Sequence, residues 1–228
     1  MHTSLLEASE QEPSPVIHLQ GAAVRGPRGP VFGPLTLSAT GAITVVCGPR
    51  GSGRTALLLT LAGRMRLTEG SAHVMGSSRA AEMRTRVGIV GFDDIDGLEP
   101  TASVAAALRE RLAWVAPWYR RVPRLSPDVV RELLADAFGE LEQPDPDTLA
   151  RDLGPVDTIL IRVALAMLES PELLVLDDFD ELRSIAERRL VADRLTALAA
   201  AGTHVVIATT DAADLECFVG TSPTLIEL

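Results

Sequence analysis

The chain contains no lysine: all 21 basic residues are arginine, set against 31 carboxylates for a formal net charge of −10. So acidic a surface excludes a general affinity for nucleic acid or anionic lipid, both of which need a positive footprint. Only a local basic patch at Arg120, Arg121 and Arg124 runs against that balance. Cysteine is scarce too. Cys47 and Cys217 give no disulfide framework, and Cys47, inside an apolar run, reads as a small hydrophobe, which fits a reducing cytoplasm. Long apolar runs are absent: no segment approaches the roughly 20 residues that span a bilayer, so direct membrane insertion is not expected. The first fifteen residues hold Glu7, Glu10 and Glu12 where a signal peptide needs a cationic start.

What is present suits one domain with room for a subdomain: 228 residues, 46% of them hydrophobic, suffice to bury a proper core. Residues 1–15 read as a loose polar tail and 16–228 as the folded unit. The most informative stretch is Gly48-Pro49-Arg50-Gly51-Ser52-Gly53-Arg54-Thr55, which follows an apolar run at 43–47 and opens into Ala56-Leu57-Leu58-Leu59. Strand, glycine-rich turn and helix start form a phosphate-binding loop. Glycines let successive N–H groups point inward, and the helix N-terminus adds positive potential. The candidate nucleotide-binding residues are therefore Gly48, Arg50, Gly51, Ser52, Gly53, Arg54, Thr55 and Ala56, with the Thr55 hydroxyl available to magnesium. Arg54 stands where the motif carries lysine, a more compact cation than the planar guanidinium.

Runs at 16–20, 35–39, 43–47, 72–75 and 86–90 read as strands, as do 173–176 and 205–208, with an amphipathic helical segment at 184–201 between the last two. Continuous apolar strands alternating with helices predict an α/β sheet with helices on both faces. The middle, about 98–168, is helical in pattern. Ser126-Pro127-Asp128 reads as an N-cap with proline at the first helical position, so an inserted helical subdomain is expected. A second acidic site follows Leu173-Leu174-Val175-Leu176, where Asp177 is placed to hold magnesium and Asp178 to orient an attacking water at the carboxyl end of a buried strand.

These motifs, in this order, resemble the nucleotide-binding subunits of ATP-binding cassette (ABC) transporters over about 16–214. Leu67-Thr68-Glu69-Gly70-Ser71-Ala72 with Gly76 resembles the stretch after that family's first helix. Arg162-Val163-Ala164-Leu165-Ala166 ahead of Pro171 resembles its helix before the second acidic strand. The resemblance implies a P-loop NTPase sheet, ATP and Mg2+ as ligands, and a homodimer or heterodimer with another cassette. It also implies a membrane permease as partner and a place on the inner face of the cell membrane through that partner.

Against the family pattern several positions depart. Asp178 replaces a glutamate and is one methylene shorter; a misplacement of up to 1 Å costs on the order of 100-fold in rate. Thr210 stands for the usual histidine, and His204, at the far end of the same strand, cannot replace it. Phe92 stands for the usual glutamine, leaving Asp93 or Asp94 as water-mediated magnesium ligands. Pro155-Val156-Asp157-Thr158-Ile159 holds no signature serine or glycine, and Asp157 would repel a γ-phosphate. Phe179-Asp180-Glu181-Leu182 replaces a subunit-crossing loop. Residues 24–29 offer no aromatic to stack on adenine, while Trp114, Trp118 and Tyr119 lie where the family docks its permease.

The leading expectation is an ATP-binding subunit with weak or partner-dependent hydrolysis. The alternatives are a catalytically inactive cassette acting as scaffold or regulator, and a small phosphotransferase with Arg120, Arg121 and Arg124 as a phosphate-clamping lid.

Overall fold

The computed structural model describes residues 15–228; the expected tail lies outside them except for Pro15. In chain order the elements are β1 (Ile17–Gly26), β2 (Gly29–Ala39), β3 (Ile43–Cys47), α1 (Arg54–Leu61), β4 (Glu69–Val74), α2 (Ala80–Arg86) and β5 (Val87–Val90). There follow α3 (Asp93–Asp96), α4 (Val104–Val115), α5 (Pro127–Phe138), α6 (Pro155–Met167), β6 (Leu173–Leu176), α7 (Ile185–Ala200), β7 (His204–Thr209) and β8 (Thr224–Glu227).

Five strands form a parallel sheet in the order β5-β6-β7-β3-β8, and three form an antiparallel sheet in the order β2-β1-β4. The runs at 16–20 and 35–39 therefore belong to the second sheet, and β8 joins the first beside β3. Strand period divides the core in two. Leu173 and Val175 of β6, with Val206 and Ala208 of β7, pack toward α1 and the antiparallel sheet. Leu174, Leu176, Val205 and Ile207 face the opposite way, into a core shared with α4, α5, α6 and α7. Both faces are covered, which is why these strands read as unbroken apolar runs.

Local signals agree with the helices. Pro127 opens α5 behind Ser126, whose Oγ accepts from Val129 N–H, and Ser184 with Glu187 closes a capping box on α7. Four helices, the short α3 and then α4 to α6, occupy the chain between β5 and β6. Because neighbouring strands are parallel, pairing Cys47 with Thr209 and Val90 with Leu176, the segments after β3, β5, β6 and β7 leave from one end of the sheet. That end collects the candidate site.

Candidate nucleotide site

The loop after β3 is held from beneath by Gly48 N–H donating to the Thr209 carbonyl (3.2 Å) and closed by Ser52 N–H donating to Pro49 (3.1 Å). Gly53 takes φ +94°, and a Cβ there would lie 2.7 Å from the Phe32 Cβ and against the Val31 carbonyl. Only glycine lets β2 press so close to the turn. Helix α1 then begins at Arg54 with no side-chain cap and no acidic residue in its first turn. Its leading N–H groups are left for an anion. Ser52 Oγ is buried with no hydrogen-bond partner in the loop, and Gly48 and Ala56 are buried beside it, while Arg50 and Thr55 are exposed at the mouth. This cradle fits a polyphosphate: an orphaned buried hydroxyl and uncapped amides are what phosphate oxygens satisfy.

Arg54 does not project freely. It is 7% exposed, with Nη1 3.4 Å from Asp180 Oδ1 and Nη2 3.9 Å from Asp178 Oδ1. Asp180 sits on a short 3-10 turn after β6, and its Oδ2 accepts from Thr210 Oγ1 at 2.8 Å. Burial pushes the Asp180 carboxyl up, but the Thr210 hydroxyl and then Arg54 outweigh it and hold the group below its ordinary value. Asp178 is pushed the other way, by burial first and then by Asp177, Glu181 and Asp180, with Arg54 opposing. It also adopts φ +49°, left-handed backbone that a non-glycine residue occupies at a cost of about 1 kcal/mol or more.

Asp177 is buried, and its Oδ1 accepts only the Asp178 N–H, at 3.0 Å, leaving it acceptor capacity for a cation. Thr55 and Asp177 supply one hydroxyl and one carboxylate. That donor set suits magnesium, which keeps waters and phosphate oxygens as its other ligands. No group of three or more His, Cys, Asp or Glu arranged to hold a metal ion by themselves is found among the described residues.

Behind the site, Thr209 Oγ1 donates to the buried Asp214 carboxylate, and Asp214 Oδ1 accepts from Arg188 Nη1 (2.8 Å). This network fixes the end of β7 that carries Thr210. His204 begins β7 at the opposite end, as its spacing predicts, with Nδ1 buried and unpaired.

Beside β5, Asp93 is engaged by Arg162 of α6, whose Nη1 donates to Asp93 Oδ1 (2.9 Å). The same guanidinium grips Asp96 with Nε and Nη2 at 2.8 and 2.7 Å. Asp96 in turn accepts the N–H groups of Phe92 (2.7 Å) and Gly91 (3.1 Å). Phe92 is buried and offers no polar group. Asp157 occupies the first turn of α6, its carboxyl pushed up by burial and then by Glu142.

Sequence reasoning missed Asp180. Its position three residues after Asp177 was legible, but its meeting with Arg54, 126 residues away, was not.

A family model described as ABC transporter matches residues 35–180. The chain is 30% identical over 83% of its length to an ABC transporter ATP-binding/permease protein of Mycobacterium tuberculosis, of which it spans 22%. It is 30% identical over 71% of its length to the Nod factor export ATP-binding protein I of Cupriavidus metallidurans, spanning 52% of it. The chain thus spans about half the length of one of these relatives and less than a quarter of the other. Among solved structures, a bacterial ABC transporter cassette determined as a dimer superposes with a TM-score of 0.70 at 17% identity, covering 93% of this chain and 94% of that one.

Proposed function

The chain belongs to the ABC transporter family, and from that premise we propose that it acts as the ATP-binding subunit of a transporter, working with a membrane permease and a second cassette. The carrying observation is the loop Gly48 to Thr55, with its uncapped helix and the unpartnered Ser52 Oγ. In this reading the loop amides, Ser52 and Arg54 receive the phosphates. Thr55 and Asp177 would hold magnesium, which when bound would supply positive charge to offset that of the phosphates. Arg54 must first exchange Asp178 and Asp180 for phosphate oxygens, so the two carboxylates lower affinity for the most anionic ligand and favour partial engagement.

Asp178 orients water poorly: it is short, strained and turned toward Arg54. Thr210 donates to Asp180 instead of offering an imidazole. Turnover is therefore slow in the isolated subunit and rises when a partner cassette supplies an intact signature, since Asp157 spoils this chain's own. The helices at about 98–168 act as the subdomain that meets the permease. A hollow between α3, α4 and α6, lined by Ile95, Leu98, Arg111, Trp114 and Leu165, is the surface offered to it. No helix among the described residues is long and apolar enough to cross a membrane, so attachment to the inner face of the membrane runs through that partner.

One observation favours a second reading, a scaffold that does not turn over: the phosphate-facing cation is already paired with two carboxylates. Calorimetric titration with ATP, with and without magnesium, followed by turnover with and without a candidate partner cassette, separates them. Magnesium-dependent binding with partner-stimulated hydrolysis supports the subunit. Absence of binding by the folded protein, alone and with partner, supports the scaffold.

A further inference from the structure

The chain's aromatic residues fall into two classes. All five phenylalanines, Phe32, Phe92, Phe138, Phe179 and Phe218, are buried. Both tryptophans and the single tyrosine lie within six consecutive residues and are exposed: Trp114 by 73%, Trp118 by 96% and Tyr119 by 74%. Trp118 and Tyr119 stack edge to face with ring centroids 5.9 Å apart. The segment leaves the end of α4 through a turn in which Arg120 N–H donates to the Pro117 carbonyl (2.8 Å).

Charge follows the same line. Residues 111–127 contain Arg111, Arg120, Arg121 and Arg124 and no carboxylate, in a chain whose net charge is −10. Arg111 pairs with Glu169 (3.2 Å), whereas Arg120, Arg121 and Arg124 enter no salt bridge among the described residues. Arg120 and Arg121 flank a shallow apolar hollow lined by Leu112, Val115 and Leu125. One opposing charge, Asp147, shares a neighbouring hollow with Arg109 and Arg124.

We propose that residues 114–125 form a peripheral contact with anionic lipid headgroups. Tryptophan and tyrosine are the side chains that settle at the headgroup level, apolar body inward and polar edge wet, and unpaired arginines supply the complementary charge. The patch is continuous with the permease-facing hollow through Trp114, which puts it on the side of the molecule turned to the membrane in the reading above. The lipid contact itself needs neither nucleotide nor hydrolysis, so its success or failure is independent of ATP binding.

Because the only two tryptophans lie in the patch, intrinsic tryptophan emission reports it directly. The full chain is mixed with phosphatidylcholine vesicles and with vesicles in which about a third of the lipid is phosphatidylglycerol, at low salt. The expected result is a blue shift and co-sedimentation with the anionic vesicles, reversed by salt. Each arginine near such a surface contributes about a factor of five to partitioning, so the triple variant R120Q/R121Q/R124Q loses about a hundredfold. Trp118→Ser with Tyr119→Ser weakens it further without touching a buried residue. No shift and no sedimentation with anionic vesicles overturns the proposal, as does undiminished binding by the triple variant. A blue shift that grows with protein concentration without vesicles overturns it in favour of self-association. A parallel ATP titration of the same variants shows whether the nucleotide site stands regardless.

Discussion

Two buried arginines, each facing two aspartates, are held very differently. Arg162 is 8% exposed and makes three close hydrogen bonds, two to Asp96 and one to Asp93, at 2.7 to 2.9 Å. Arg54 is as buried but stands 3.4 and 3.9 Å from its carboxylates, one long hydrogen bond to Asp180 and a distant ion pair with Asp178. Burying a guanidinium is costly unless its donors are met. Arg162 meets the cost within the fold, which marks it as a clamp. Arg54 has one long bond to Asp180 and a more distant ion pair with Asp178, which marks it as a cation readily exchanged onto an incoming anion. For Arg162 burial alone lowers the pKa, but the bonds to Asp96 reverse the shift and the group ends above its ordinary value.

That contrast can be broken first at its firm side. Arg162→Met leaves Asp96 buried without its cation and is expected to destabilise the protein by about 3–5 kcal/mol, read by denaturant unfolding. A loss below about 1 kcal/mol would remove the clamp assignment. At the loose side, Arg54→Ala is expected to leave the unfolding midpoint nearly unchanged while weakening nucleotide binding at least several-fold by calorimetry. Equal affinity in both proteins would take Arg54 out of the site.

Asp178→Asn is expected to abolish residual hydrolysis and Asp178→Glu to raise it, measured as phosphate release in the presence of a partner cassette. Indifference to both moves the water-orienting role elsewhere. The smallest effect sharpens the comparison. Asp180→Asn frees Arg54 from its nearer carboxylate and should tighten ATP binding by a few-fold. The Asp180 carboxyl is held below its ordinary value in the fold, so its charge stabilises the protein above the unfolded carboxylate range near pH 4. That contribution disappears as pH falls through the lowered folded value. The stability gap between the native protein and Asp180→Asn should therefore narrow over that acid window, and a gap constant from neutral to strongly acid pH would contradict the contact.

Where local chemistry decides, the sequence was readable. The glycine spacing of 48–53 predicts the turn, Ser126-Pro127 predicts the start of α5, and the apolar run before Asp177 predicts a strand buried on both sides. Departures at Thr210 and Phe92 were also readable, since they replace a polar group by one of different reach. What sequence hides is which distant charges meet. Asp93 or Asp94 is expected to reach magnesium through water in place of the missing glutamine, and nothing local announces that Asp93 also meets Arg162, 69 positions later. In sequence Asp180 is only part of the segment that replaces a subunit-crossing loop, and a 3-10 turn folds it between Arg54 and Thr210. The antiparallel sheet was missed for a related reason: β1 and β2 bear mixed burial patterns, and their bulged register blurs the period that would have paired them.

Gly91 draws these two clusters into one joint. It adopts φ +89°, and a Cβ there would collide with the Asp177 carbonyl oxygen and lie 3.0 Å from that residue's carbonyl carbon and amide nitrogen. Its N–H is gripped by Asp96, which is gripped by Arg162. The path from α6 to Asp177 thus runs through a bidentate ion pair and bare backbone, with little slack to absorb a push. A partner that tilts α6 would turn this joint like a stiff crank, displacing Asp177 without ever touching the nucleotide.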